Sequence, residues 1–146
     1  MRAERAFGAV TRLFLDCEWA DTIGSDLVSI ALVSEDEQHR FYAEMSPLPE
    51  HPTSFVRHVV YPLLHGGQHA RQAAELTRDL RTFLARIPEP QVLYDDAVDG
   101  ALFRYALDGF ELNDSALAEL PAAPFVESTL LVERDSIRLQ MDRYFS

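Results

Sequence analysis

The sequence predicts an α/β fold: a mixed sheet with three leading antiparallel strands, flanked by helices. Three observations predict it. Alternating or β-branched apolar segments come first, separated by short polar turns. Amphipathic helical patterning follows, and a further short apolar strand lies between two helices. With 146 residues, the chain suits one domain spanning 1–146.

The elements read in order. Residues 11–16 form the first strand, where Leu13 and Leu15 alternate with Phe14 before acidic residues begin. Residues 26–33 form the second strand, rich in β-branched side chains. Residues 34–38 are a polar turn, so the third strand, 39–44, pairs as a hairpin with the second. Pro47, Pro49 and Pro52 then break the pattern. Thr53 or Ser54 caps a short helix that ends near Pro62, and Gly66-Gly67 is a turn. Residues 69–86 carry Ala73, Leu76, Leu80, Phe83 and Leu84 at helical spacing. Pro88 and Pro90 stop that helix, and 91–95 is the fourth strand. A helix near Asp99 buries Leu102, Phe103, Ala106 and Leu107, and Asp114 or Ser115 starts another helical turn. Pro121 and Pro124 mark a loop, and the tail from about 130 to 144 reads as a final helix with Ile137, Leu139, Met141 and Tyr144.

The charge balance narrows the function classes. All 13 basic residues are arginine, against 24 acids, giving a formal charge of −11. Such a surface repels phosphate backbones and anionic membranes unless positive charge is gathered locally. A short nucleic acid handled through divalent cations escapes this objection, because the metal supplies the charge. No apolar run approaches the ~20 residues that span a bilayer, so no membrane role is expected. Cys17 is the only cysteine, which excludes an internal disulfide and a Cys-rich zinc site and suits a reduced cytoplasmic protein.

Two acidic clusters stand at strand ends. In Asp16-Cys17-Glu18 the two carboxylates fall on one side of a strand. Paired carboxylates repel, and a divalent cation relieves that repulsion. The same spacing also suits a solvated strand end. In Tyr94-Asp95-Asp96-Ala97-Val98-Asp99 three acids occupy five positions. Asp99 suits a helix cap, Asp95 suits a turn-holding side chain, and both suit a metal site. Trp19 is placed either to stack on a terminal base or to pack at the strand end. Cys17, between two carboxylates, is expected to keep its proton. His65 and His69 have i, i+4 spacing, but Gly66-Gly67 interrupts any helix there, which argues against zinc. The arginines at 71, 78, 81 and 86 either hold phosphate or line an exposed helix face.

These motifs resemble the small bacterial 3′–5′ exoribonucleases of the DEDD, ribonuclease H-like superfamily. The resemblance rests on Leu13-Phe-Leu-Asp-Cys-Glu-Trp19, Asp26-Leu-Val-Ser-Ile-Ala-Leu-Val-Ser-Glu-Asp36, Phe41-Tyr-Ala-Glu44 and the Tyr94–Leu102 stretch, and covers roughly residues 11–108. It implies a ribonuclease H-like sheet and two-metal hydrolysis of phosphodiesters in single-stranded RNA or short oligonucleotides. It also implies two Mg²⁺ or Mn²⁺ ions, held by Asp16, Glu18, Asp99 and Asp135, with Trp19 and Asp95 on the substrate. A homo-oligomer is left open. Glu127 and Glu133 are the alternative fourth acids. The family's third motif places His five residues, or Tyr four residues, before its last Asp; here Leu130 and Leu131 hold those places before Asp135. The other expectation is therefore a catalytically degenerate relative serving as a nucleic-acid or protein interaction module.

Overall fold

A computed structural model describes residues 10–131. It is an α/β fold built on a six-stranded mixed sheet flanked by helices. The strands are β1 (Thr11–Trp19), β2 (Leu27–Ser34), β3 (Arg40–Met45), β4 (Ala70–Arg71), β5 (Pro90–Tyr94) and β6 (Glu127–Leu130), in the spatial order β4-β3-β2-β1-β5-β6. β1, β2 and β3 run antiparallel in sequence, as their alternating patterns and short connections require. β5 pairs parallel with β1, and β6 parallel with β5.

The helices are α1 (Ala73–Ala85), α2 (Ala97–Asp108) and the short α3 (Asp114–Ala118). Gln72 and Glu75 form a capping box at the start of α1, which satisfies two otherwise orphaned amides. Asp96, not Asp99, caps α2: its Oδ1 accepts the Val98 N–H at 2.9 Å. Gly109 ends α2 at φ 109°, a conformation that costs glycine little. Gly100 is needed for close approach, because any Cβ there would collide with the Tyr94 ring.

α1 and α2 cover one face of the sheet. Leu13, Leu15, Ile30, Leu32, Leu76, Leu80, Phe103 and Leu107 form the centre of that core. Thr77 and Arg81 tie α1 to the last turn of α2, donating to the carbonyls of Ala106 and Leu107 at 2.8 Å each. The opposite face carries two smaller clusters. Phe14, Val33 and Leu93 pack with Leu131, while Ala20, Val28 and Val56 pack with Val60, Tyr61 and Leu64. The second cluster seats a single π-helical turn, Val56–Val60, and a 3₁₀ turn, Tyr61–Leu63, over one end of the sheet.

Three expectations change. Residues 69–72 do not join the long helix: they close a 3₁₀ turn and add β4 beside β3, so the helix starts at Ala73. The first strand runs on to Trp19 rather than ending at Asp16. Leu130 does not begin a helix. It ends β6, held beside β5 by the Leu131 N–H to the Tyr94 carbonyl at 2.8 Å, while Arg104 of α2 grips the Val126 carbonyl and Ser128 Oγ. The rest of the expected tail helix lies outside the described residues. Among the described residues no helix is long and apolar enough to cross a membrane.

Candidate functional site

β1 delivers Asp16 and Glu18 to the face of the sheet opposite the main core. Leu15 and Cys17 alternate with them and point into the core, so the strand period alone sets the two carboxylates side by side. Asp16 stands level with Ala31 of β2 and Tyr42 of β3, and Glu18 with Ser29 and Glu44. Asp16, Glu18, Ser29, Ala31 and Tyr42 floor an open cleft of about 420 Å³, walled by Val60, Leu63 and Leu64. The strand register shifts between Glu18 and Trp19, where Val28 is the extra residue. Bulges of this kind recur beside functional sites because they re-aim the next side chain. Trp19 keeps the alternation of Leu15 and Cys17 and packs, half-buried, against the main core. Of the two roles open to Trp19, packing at the strand end is the one its half-buried position shows.

β1 and β5 stay paired only as far as Phe14 and Leu93. Beyond that pair the strands part, and the first turn of α2 enters the gap. This brings Asp99 to Cys17: the Cys17 N–H donates to Asp99 Oδ1 at 2.9 Å across a separation of 82 residues. The Asp99 carboxylate therefore lies against the peptide that links Asp16 to Glu18. Asp99 is 2% exposed. Burial pushes its carboxyl up to about 7, the nearby charges of Asp16, Asp96 and Asp95 push the same way, and the Cys17 amide only partly opposes them. Glu18 is open to the cleft, yet partial desolvation raises its carboxyl as well. The Cys17 thiol is raised by burial and then by Asp99, Asp16 and Glu18, so it is inert as a nucleophile.

Glu44, on the strand that floors the cleft, is also 2% exposed. Its Oε2 accepts from the Tyr42 hydroxyl at 2.5 Å and the His65 N–H at 2.7 Å, and its Oε1 from the Gly66 N–H at 2.7 Å. Burial favours the neutral form, but these three donors outweigh it and hold the carboxyl below its ordinary value. The Tyr42 ring meets His65 and His69 edge-on, at 5.7 and 5.4 Å between centroids. The motif Phe41-Tyr-Ala-Glu44 marked this strand in sequence, but not the clamp that Glu44 makes. A buried glutamate two residues after a tyrosine on one strand face is the signal that reveals it.

The remaining expected residues divide. Asp95 follows β5 and stands close enough to Asp99 to raise its carboxyl. Glu127 is level with Gln91, which puts it beside the start of β5 rather than the end that carries Asp95. Through Arg12 it falls four residues, about 13 Å, short of Asp16, so Glu127 does not join the cluster. Asp135 and Glu133 lie outside the described residues. Among the described residues no three His, Cys, Asp or Glu side chains stand together closely enough to hold a metal ion. Asp99 reaches the backbone amide between Asp16 and Glu18, so acids from two distant segments are neighbours through the main chain without forming a three-ligand group. No protein-family model matches the chain, and no curated protein matches it.

Proposed function

We propose that the chain is a metal-dependent 3′–5′ exonuclease of the DEDD, ribonuclease H-like kind, acting on single-stranded RNA or short oligonucleotides. The observation that carries this reading is the hydrogen bond from the Cys17 amide to Asp99, which joins the two acidic segments. The sheet supports it too: three leading antiparallel strands with β5 and β6 added parallel to β1 suit a ribonuclease H-like fold. The donor set fits Mg²⁺ or Mn²⁺, hard cations that take oxygen ligands.

In this reading Asp16, Glu18 and Asp99, with Asp135 as the fourth acid, would hold two divalent ions. Bound cations supply positive charge against the phosphodiester and ionise water near neutral pH. The chain's own residues do the rest. Leu63 and Leu64 exclude water from one side of the cleft and offer an apolar face to a base. Tyr42 keeps its proton, since burial and then Glu44 raise its phenol, and so stays a donor. Leu130 and Leu131 carry no base. The rate is therefore expected to rise with pH, without the limb of a titrating histidine.

The test is Mn²⁺-dependent nucleotide release from a labelled single-stranded RNA, comparing wild type with Asp16→Ala. Release by the wild type alone is expected. Mn²⁺ is also expected to stabilise the wild type, by about 2.7 kcal/mol at a hundredfold excess over Kd, and not the variant. Equal behaviour of the two proteins in both measurements overturns the enzyme. It leaves the interaction module, the reading favoured by the lack of a three-ligand cluster among the described residues.

A further inference from the structure

The acidic cleft does not end at Tyr42. A second pocket of about 350 Å³ shares Arg40, Phe41 and Tyr42 with it, so β3 is a common wall. This second pocket opens where β4 stops short. β4 pairs only with Glu44 and Met45, which leaves the Arg40–Tyr42 edge of the sheet uncovered. The far side of the pocket is the C-terminal half of α1, and its charged rim is Arg40, Arg71 and Arg86.

The arginines of this chain differ in what they already do. Arg81 is buried and committed to the Leu107 and Pro121 carbonyls. Arg78 does not line the pocket and pairs with Asp79, which does. Arg71 shares Asp79 through Nε at 2.9 Å, which fixes its guanidinium at the pocket edge. Arg40 makes only an exposed pair with Glu37. The exposed Arg86 side chain makes no hydrogen bond or ion pair among the described residues. One acid, Asp79, lines this pocket against three guanidinium groups. In a chain of net charge −11, that is the local concentration of positive charge a polyanion needs.

We propose that the Arg40–Arg71–Arg86 pocket binds a backbone phosphate of a single-stranded oligonucleotide whose end lies over Asp16 and Glu18. The proposal deepens the nuclease reading and rests on it for what occupies the acidic end. The spacing suits it. Asp16, Ala31 and Tyr42 are level across three strands, and Arg40 is two residues along β3. The arginine rim therefore begins about 12 Å from Asp16 on strand spacing alone. An end held at the acids reaches the arginines only if more than the terminal nucleotide is present. Guanidinium forks match phosphate oxygens, and the neighbouring Tyr42 ring offers a face on which a base stacks.

The experiment measures binding of a short fluorescent single-stranded oligoribonucleotide to the whole chain, in Ca²⁺ to hold turnover low, across a salt series. The double variant Arg40→Ala, Arg86→Ala is expected to bind about tenfold more weakly. Its log–log salt dependence is expected to be shallower by about 1.4, the loss of two phosphate contacts at ~0.7 each on single strands. Both side chains are exposed, so the melting temperature is expected to hold, which separates the effect from misfolding. Arg57→Ala removes the same charge from an exposed position that lines neither pocket and is expected to change binding by less than about twofold. Equal affinity and slope in wild type and double variant overturn the proposal. So does competition by polyglutamate as effective as by unlabelled RNA, which would make the pocket an acidic-protein surface. The nuclease reading is judged separately, by Asp16→Ala in Mn²⁺. Lost binding in the double variant with no hydrolysis by any protein keeps the pocket and discards the enzyme. Hydrolysis that depends on Asp16 with binding indifferent to the arginines does the reverse.

Discussion

Glu44 and Asp99 are the two carboxylates most completely buried among the described residues, and they are treated in opposite ways. Glu44 receives three donors, the Tyr42 hydroxyl and two consecutive backbone amides, and its carboxyl is held down. Asp99 receives one amide, sits among Asp16, Asp95 and Asp96, and is pushed up to about 7. Burial penalises both charges, more heavily at Asp99. The number of donors and the sign of the neighbours differ as well. Glu44 is a structural clamp: it pins the loop at His65–Gly66 to the edge of the sheet. Asp99 is left under-compensated at the strand ends where the other acids gather.

Breaking the clamp has the largest expected effect. Glu44→Ala leaves the His65 and Gly66 amides and the Tyr42 hydroxyl without their acceptor. Stranded donors of this kind cost about 1–3 kcal/mol each, partly recovered by water, so a loss of about 3 kcal/mol is expected in urea unfolding. Glu44→Gln keeps one oxygen and is expected to lose less. The pH dependence carries a sign. The Glu44 carboxyl is lowered in the fold, so the stability it contributes is present above its unfolded value and is lost as pH falls through the folded one. The penalty of Glu44→Gln is therefore expected to shrink in acid. A Glu44→Ala protein as stable as wild type at neutral pH refutes the clamp.

Asp99→Asn sharpens the comparison from the other side. The amide oxygen still accepts from Cys17, and the charge is gone. A carboxyl raised to about 7 binds its proton more tightly in the fold than in the unfolded chain. Wild-type stability in metal-free buffer therefore falls as pH rises from about 4 to about 7 and levels off above, by at most about 4 kcal/mol. The variant is expected to lack that fall, to be more stable than wild type at pH 8 by about 2 kcal/mol, and to gain nothing from Mn²⁺. Parallel stability curves for the two proteins across this range contradict the account of Asp99.

What the sequence revealed and what it hid follows the same division between local and assembled features. β1, β2 and β3 are legible because alternation and a polar turn are local properties, and the shared face of Asp16 and Glu18 follows from the strand period. The approach of Asp99 to that pair needed the parallel pairing of β1 with β5, which no local pattern encodes. β6 stayed hidden for a related reason. Glu127-Ser-Thr-Leu130 has no alternating apolar face, and it is a strand because β5 offers an open edge and Arg104 holds its backbone. β4 is two residues long and exists only as a partner to β3. Trp19 was ambiguous because the strand pattern in sequence ends at Asp16; once β1 runs on to Trp19, alternation puts it on the side of Leu15 and Cys17.

The smallest expected effect concerns Leu130, where a histidine would restore the base that the resemblance leads one to seek. Leu130→His would raise the rate only if position 130 sat on a helix that carried the imidazole about one turn from the metal site. Leu130 instead ends β6, level with Tyr94, and is 40% exposed. A side chain so open to solvent gives up little burial when replaced, and imidazole meets water there rather than an apolar slot. Stability is therefore expected to stay within about 0.5 kcal/mol of wild type. Position 130, at the end of a strand beside Tyr94, is not in the helical placement that the third motif requires. Nucleotide release by Leu130→His is expected to match wild type in rate and in pH profile. A rise of tenfold or more, with a new limb near the ordinary histidine value, would place the third motif on this segment and give Asp135 the fourth place beside Asp16, Glu18 and Asp99.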